Sequence, residues 1–293
     1  MDILALEVFR TVAEQRSITK AAKILNFVQS NVTAKIKQLE LDFKTQLFYR
    51  HSRGVTLTSA GITLLSYTDK IFYLLDETRK AVQDTSIPKG SISIGSMETT
   101  AAVRLPVHLA DYHRKFPLVD IKLKTGPTEQ LIDSVLHYQL DGAFVSGPVQ
   151  HSELIQETIF KEELVLVTDK YGENYESVLF EMKNKNILVF RTGCSYRGKL
   201  ESWLREEGLF PIKVMEFGTL EAILGCVKSG FGISLLPRSV VSELESRGDL
   251  HIHSIPDKFA NVETVLIRRR DLYINSALEA FLNTVRQTEH LNI

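Results

Sequence analysis

From residue 91 to residue 288, short apolar runs alternate with stretches of helical period, and this alternation is what most limits the fold. "SISIGS" reads as a strand, 99–116 as a helix, "VDIKLKT" as a strand, 128–139 as a helix, "DGAFVS" as a strand and "ELVLVT" as another. The pattern then restarts with strand "NILVF", helix 196–207, strand 212–217, helix 219–229, strand "GISLLP", helix 238–247 and strand 250–255. Strand 262–269 and helix 275–288 close it. Strands separated by helices pair mainly in parallel and take their cover from those helices, which is an α/β fold. Two successive series predict two subdomains, roughly 88–160 plus 265–293, and 161–264. A cleft between subdomains is a usual place for a small ligand.

The first 58 residues follow a different pattern. Leu6, Phe9, Val12 and Ala13 recur at helical spacing over 3–15. Ser17 is suited to cap a short helix over 18–25, with Ala21, Ala22, Ile24 and Leu25 on it. A turn at Asn26–Phe27 leads into a third helix running to about residue 41, and the pair suggests a helix-turn-helix. Leu47–Arg50 and Val55–Leu57 flank a turn at Arg53–Gly54, a hairpin or wing. Thr58 caps a long helix over 59–86. Along it Leu57, Leu64, Ile71 and Thr78 form a seven-residue series, offset by three from Ala60, Tyr67, Leu74 and Ala81. Such a seam packs on its own domain or on a second copy. The second copy is favoured, because nothing nearby in sequence could cover it. "SIPKG" at 86–90 then breaks the chain. The expected domains are a head of 1–58, a linker and dimerisation helix of 59–87, and an α/β domain of 88–293.

Charge separates the parts as well. Residues 1–58 carry nine Lys/Arg against five Asp/Glu, a net +4, and the whole chain is −1, so the remainder carries −5. A basic head on an acidic body points to a polyanion partner for the head alone. No apolar run approaches the roughly 20 residues of a membrane span. The N-terminal "MDILALEVFR" lacks the basic and apolar regions of a signal peptide. Two cysteines, Cys194 and Cys226, make no disulfide framework. The expectation is a cytoplasmic protein without membrane contact.

In the third helix, "NFVQSNVTAKIKQLE", Val32, Ile36 and Leu39 fall within about 60° of one another at 100° per residue and form the buried stripe. Ser30, Thr33, Ala34 and Lys37 lie roughly opposite, and Gln29, Ser30 and Asn31 stand at the N-terminal end. The second helix of a helix-turn-helix meets base edges with its N-terminal residues. Gln pairs with adenine, Ser and Thr bond several edges, and Lys37 reaches a phosphate or a guanine. A solvated helix face carries the same residue types.

Residues 17–61, "SITKAAKILNFVQSNVTAKIKQLELDFKTQLFYRHSRGVTLTSAG", closely resemble the N-terminal signature of LysR-type transcriptional regulators. The matches include Ser17, Ala21, Ala22, Leu25, Gln29, Ser30, Val32, Thr33, Ile36, Leu39, Glu40, Leu47, Phe48, Arg50, Arg53, Leu57, Thr58, Ala60 and Gly61. The long helix and two-part α/β domain extend the likeness over essentially the whole chain. Two positions depart from the pattern: Val28 stands where the family has a capping Ser or Thr, and Lys44 where it has a glycine before "LF". Asn26 or Ser30 is left to cap the third helix. The resemblance implies a winged helix-turn-helix binding double-stranded DNA. It places Gln29, Ser30 and Thr33 in the major groove, Lys35 and Lys37 along the same helix, and Arg50 and Arg53 on the wing.

The C-terminal part resembles the family's effector domain, a fold shared with periplasmic binding proteins. Hydroxyls sit where strands end and helices begin: Ser96, Thr99 and Thr100 in "SMETTAA", Thr128 in "TGPTEQ", Ser146 ending "DGAFVS", Ser195 in "GCSYRGKL" with Arg197 just inside, and Thr219 in "FGTLEA". Each alone reads as an N-cap. The resemblance implies that they converge on one cleft, and helix starts with an arginine favour a small organic anion. Glu98 beside them leaves a zwitterion or an amine-bearing ligand open. "GFG" at 230–232 follows a helix rather than a strand, so it reads as a C-cap and not as a dinucleotide loop. Cys194 has no identifiable base partner, and "HIH" at 251–253 has no third ligand in view. No catalytic residue, metal site or cofactor is expected. The leading reading is an effector-responsive, sequence-specific regulator acting as a homodimer or homotetramer. The alternative is a soluble α/β binding protein or enzyme with an accessory basic association module.

Overall fold

The computed structural model describes residues 2–52, 54–169, 185–191, 193–209 and 213–287. The chain forms two compact units whose main boundary falls between Val82 and Gln83.

The first unit opens with α1 (Ile3–Gln15), whose N-cap Asp2 accepts from the Ala5 amide at 2.6 Å. Ser17 caps α2 (Ile18–Ile24) through the Lys20 amide at 3.3 Å. With α3 (Gln29–Asp42) these helices close over Phe9, Val12, Ala21, Val32, Ile36 and Leu39. The wing is an antiparallel pair, β1 (Phe48–His51) and β2 (Gly54–Leu57), and its Phe48 ring packs 5.2 Å from Phe9. Gly54 adopts φ +136°, and a Cβ there would meet the Arg16 carbonyl oxygen at 2.3 Å, so only glycine fits this turn.

Thr58 caps α4 (Ser59–Gln83), accepting from the Gly61 amide at 3.0 Å and donating to the Gln46 carbonyl at 2.7 Å. The expected seam divides. Leu57, Ala60, Leu64 and Ile71 pack half-buried on the head's own core. Tyr67 and Leu74, with Ile62 and Val82, remain exposed.

In the second unit the large sheet runs β4 (Val119–Thr125), β3 (Gly90–Ser96), β5 (Gly142–Ser146), β11 (Asn261–Arg269), β6 (Leu154–Thr168), β9 (Gly232–Pro237), β7 (Asn186–Phe190), β8 (Val214–Phe217), with β10 (His251–Ser254) on β6. The outer parts are parallel as expected: β3 pairs with β4 and β5, and β7 with β8 and β9. The middle is not. β11 is antiparallel to β5 and β6, and β6 to β9 and β10. Strand β6 begins at Leu154, well before the "ELVLVT" run. Its first residues, "LIQETIFKE", carry exposed Gln156, Thr158 or Lys161 beside each buried group and hide the strand behind polarity.

The helix expected over 99–116 breaks at Arg104 into α5 (Glu98–Val103) and α6 (Leu105–Lys115). Pro106 in the first turn of α6 lacks the N–H a continuous helix needs. α7 (Thr128–Leu136), α8 (Ser195–Glu206), α9 (Leu220–Lys228), α10 (Arg238–Ser246) and α12 (Ser276–Gln287) follow as expected, and α11 (Asp257–Ala260) is an addition. One continuous apolar cluster takes Leu131 and Val135 from α7, Leu200 and Trp203 from α8, and Val145, Leu166, Ile187 and Ile233 from the strands. No described helix is long and apolar enough to cross a membrane.

His108 on α6 is buried against Phe160, ring centroids 5.6 Å apart, with Nδ1 unpartnered. Burial holds its pKa below the ordinary value, ahead of the opposing effects of the Thr284 carbonyl and Asp111. Arg104 also disfavours the charged ring. The unfolded chain therefore takes up this proton first, at about pH 6.5. Stability should be full above that range and fall as the pH drops through it. Denaturant melts between pH 7.5 and 5 should show this slope, and His108→Gln should flatten it.

Candidate nucleic-acid interface and ligand cavity

The turn before α3 bends through Asn26 at φ 54° and delivers Val28 as the helix N-cap with φ −76° and ψ 145°. Val28 makes no side-chain cap bond, and neither Asn26 nor Ser30 supplies one in its place. Gln29, Ser30, Asn31, Ala34 and Lys37 are exposed, while Val32, Ile36 and Leu39 are fully buried. The Thr19 hydroxyl donates to Gln29 Oε1 at 3.3 Å and steadies that side chain from α2. Thr33 turns its hydroxyl back to the Gln29 carbonyl at 2.9 Å. Lys35 lies 3.6 Å from Asp2, the cap of α1, so its charge is partly engaged within the head.

Glu40 sets the wing. Its Oε1 accepts from the Leu47 amide at 3.0 Å and the Phe48 amide at 3.4 Å, and its Oε2 lies 3.8 Å from Arg50. Arg53 lies outside the described residues. Lys44 adopts φ 52°, so the loop accepts a left-handed residue where a glycine would be unstrained.

A cavity of about 250 Å³ opens where two parallel pairs of strands end. Met97, Glu98 and Thr99 follow β3, Thr125–Thr128 end β4, Phe190 and Arg191 end β7, and Phe217 and Gly218 end β8. Carboxyl ends of parallel strands are the usual ligand position in α/β sheets. Glu98 and Arg191 are the charged side chains of this lining. Arg191 extends over Gly218, where a Cβ would stand 2.9 Å from its guanidinium. A wider groove of about 890 Å³ shares Thr128 and Cys194 with the cavity and takes in Ser146, Ser195 and Arg197.

The predicted effector residues therefore divide. Thr99 and Thr128 line the cavity, and Ser146, Ser195 and Arg197 line the groove. Ser96 is wholly buried and spends its hydroxyl on the Met97 carbonyl at 3.0 Å. Thr100 is buried and lines neither space, and Thr219 is an exposed N-cap holding the Ala222 amide at 3.3 Å. Arg197 is held by Glu201 at 2.7 Å and by Glu216, which offsets its charge. Sequence reasoning does not single out Arg191 or Tyr196. Arg191 does carry a signal, as the first residue past a parallel strand. Tyr196 is buried, its hydroxyl reaches Thr99, and burial pushes its phenol far up. His253 bonds Thr168 at 3.0 Å while His251 is exposed. Among the described residues no group of three or more His, Cys, Asp or Glu could hold a metal.

Two family models match the chain: a bacterial regulatory helix-turn-helix protein of the lysR family over residues 3–62, and a LysR substrate binding domain over 86–289. The chain is 54% identical over 293 residues to the HTH-type transcriptional regulator GltR of Bacillus subtilis, covering 100% of this chain and 98% of that protein. It is 48% identical over 287 residues to the regulator SoxR of Arthrobacter sp., covering 98% and 97%. In fold it is similar to a full-length OxyR variant of Pseudomonas aeruginosa, TM-score 0.72 at 19% identity over 98% of this chain and 95% of that one. It is also similar to full-length CbnR complexed with its target DNA, TM-score 0.69 at 21% identity over 98% and 100%.

Cys194, at the N-cap of α8, borders both spaces. Burial pushes its thiol up, and the amides of Arg197 and Tyr196 offset only part of this. A thiol so placed is a poor nucleophile. In a Cys226→Ser background, dithiobis-nitrobenzoate should label Cys194 well below the rate of free cysteine at neutral pH. Labelling at the free-thiol rate would contradict the assigned environment.

Proposed function

The chain belongs to the LysR family of bacterial helix-turn-helix transcription regulators, and we propose that it reads a double-stranded operator with the exposed face of α3 under the control of a small organic molecule held in the cavity through an anionic group. The observation that carries the second half is the cavity itself. Its walls come from the carboxyl ends of strands in both halves of the α/β domain. A ligand touching both walls binds one mutual arrangement of the halves better than others and shifts the population toward it. Arg191 and the start of α8 favour negative charge there, and Thr99 and Thr128 supply hydroxyls.

On the head, Gln29 and Ser30 are the base-reading residues and Lys37 a phosphate contact. Thr33 lies on the same face with its hydroxyl turned inward. Lys35 and Arg50, each near an acid of the head, add positive field more than direct contact. Arg53 on the wing is assigned to the DNA backbone or minor groove from its sequence position. The exposed Ile62, Tyr67, Leu74 and Val82 of α4 support assembly as a homodimer or homotetramer. The functional division is then 1–58 for DNA, 59–87 for assembly and 88–293 for the effector. Curated relatives named as transcriptional regulators weigh against an enzyme.

Binding to operator and random duplexes across a salt series tests the head. Gln29→Ala should lose preference for the operator with random-sequence binding retained. Lys37→Ala should weaken both and lower the salt slope by about 1. Equal losses on both duplexes for both variants would overturn this division of labour. Thr128→Val, which exchanges one cavity hydroxyl for a methyl, should blunt the inducer response of a reporter with operator affinity kept. An unchanged response would move the effector out of the cavity.

A further inference from the structure

The cavity's charges narrow the ligand class, and this step rests on the reading of that cavity as the effector site. Glu98 enters from the first turn of α5, and Arg191 enters from the end of β7. Among the described residues neither is paired with another charged side chain, whereas the nearby Arg197 is held by Glu201 and Glu216. A ligand that is only an anion would meet Arg191 and leave Glu98 partly desolvated beside like charge, which is unfavourable. An amine alone would do the reverse at Arg191. A molecule carrying both charges satisfies both walls.

Size and the rest of the lining agree. A space of about 250 Å³ has room for about eight waters, which suits a molecule of amino-acid size. Met97, Pro127, Phe190 and Phe217 offer apolar surface to a side chain, and Thr99 and Gln130 offer polar groups. We propose that the effector is a free α-amino acid or a close analogue of net charge zero. Its ammonium meets Glu98 and its carboxylate meets Arg191. Because the two charges stand on opposite halves of the domain, one small molecule draws both walls inward. Gly218 belongs to this arrangement, since any side chain there would push against the Arg191 guanidinium.

The test uses the full-length protein and isothermal titration with the proteinogenic L-amino acids, each at millimolar concentration. The tightest binder is then compared with its deaminated acid and its decarboxylated amine. Each truncated analogue loses one charge-assisted hydrogen bond and should bind at least about tenfold more weakly. Glu98→Gln should bring the amino acid and its deaminated acid to nearly equal affinity. Arg191→Gln should do the same for the amino acid and its decarboxylated amine. Thermal melts of both variants establish that they fold. If the deaminated acid binds the wild type as tightly as the amino acid and Glu98→Gln alters neither, the zwitterion proposal falls and the anion reading of the cavity stands. If acid, amine and amino acid all fail to bind, both readings fall.

Discussion

Two antiparallel strands, β6 and β11, carry the α/β domain. β6 spends its first part on β11, and from Leu164 onward pairs with β9 and β10 instead. The same strand therefore belongs to both halves of the sheet, and neither half can leave the other without breaking its ladder. β11 shifts register between Thr264 and Val265, close to this changeover, and a bulge there adds local twist. The changeover is also where polar groups gather. Glu162 accepts from Arg104 Nε at 2.7 Å and from the Ser239 hydroxyl at 2.9 Å, and Arg238 grips Glu163 with two bonds. Arg104 comes from the first half and Ser239 from the second, so a change of angle between the halves must rearrange a buried carboxylate. Such pairs break unwillingly when one partner leaves, which favours discrete arrangements over a continuous bend.

The parallel strands hang from this ribbon with their carboxyl ends turned to one opening, and that is why the cavity has two chemically different walls. The first half brings an acid and hydroxyls; the second brings an arginine, aromatic rings and the start of α8. The head solves a different problem. Its reading helix must keep a polar face outward and still hold a wing beside it, and Glu40 meets that need by accepting two wing amides from within α3.

Much of this is legible in the residues. Period 3.6 marks α1 to α4 because their apolar groups face one way, and short apolar runs mark β5, β7 and β9 because those strands are buried on both faces. β6 is half hidden, since "LIQETIFKE" lies where one face meets solvent and its polar residues mimic a loop. The break between α5 and α6 is written in Pro106 but overridden by the periodicity around it. At the cavity, Thr99 and Thr128 are legible as hydroxyls at helix starts. Ser96 and Thr219 carry the same local signal yet stand outside the lining, and a backbone contact does not tell them apart, since Thr128 also accepts from the Ser146 amide at 3.3 Å. Arg191 and Tyr196 escape local reading because their place depends on which strands end side by side, a long-range fact that no short window contains.

α3 begins with an exposed valine and no side-chain acceptor for its first amides, and the Asn31 and Val32 amides fall back on the Val28 carbonyl. The amides of Gln29 and Ser30 must then be met from outside, by water in the free protein or by an oxygen of a bound polyanion. Order at the tip of α3 and occupancy of the duplex become linked quantities. On the proposed reading of α3, an operator phosphate oxygen would complete the helix, and part of the binding free energy would be spent on finishing that first turn. A hydroxyl at position 28 would preform the turn and leave less for the DNA to contribute.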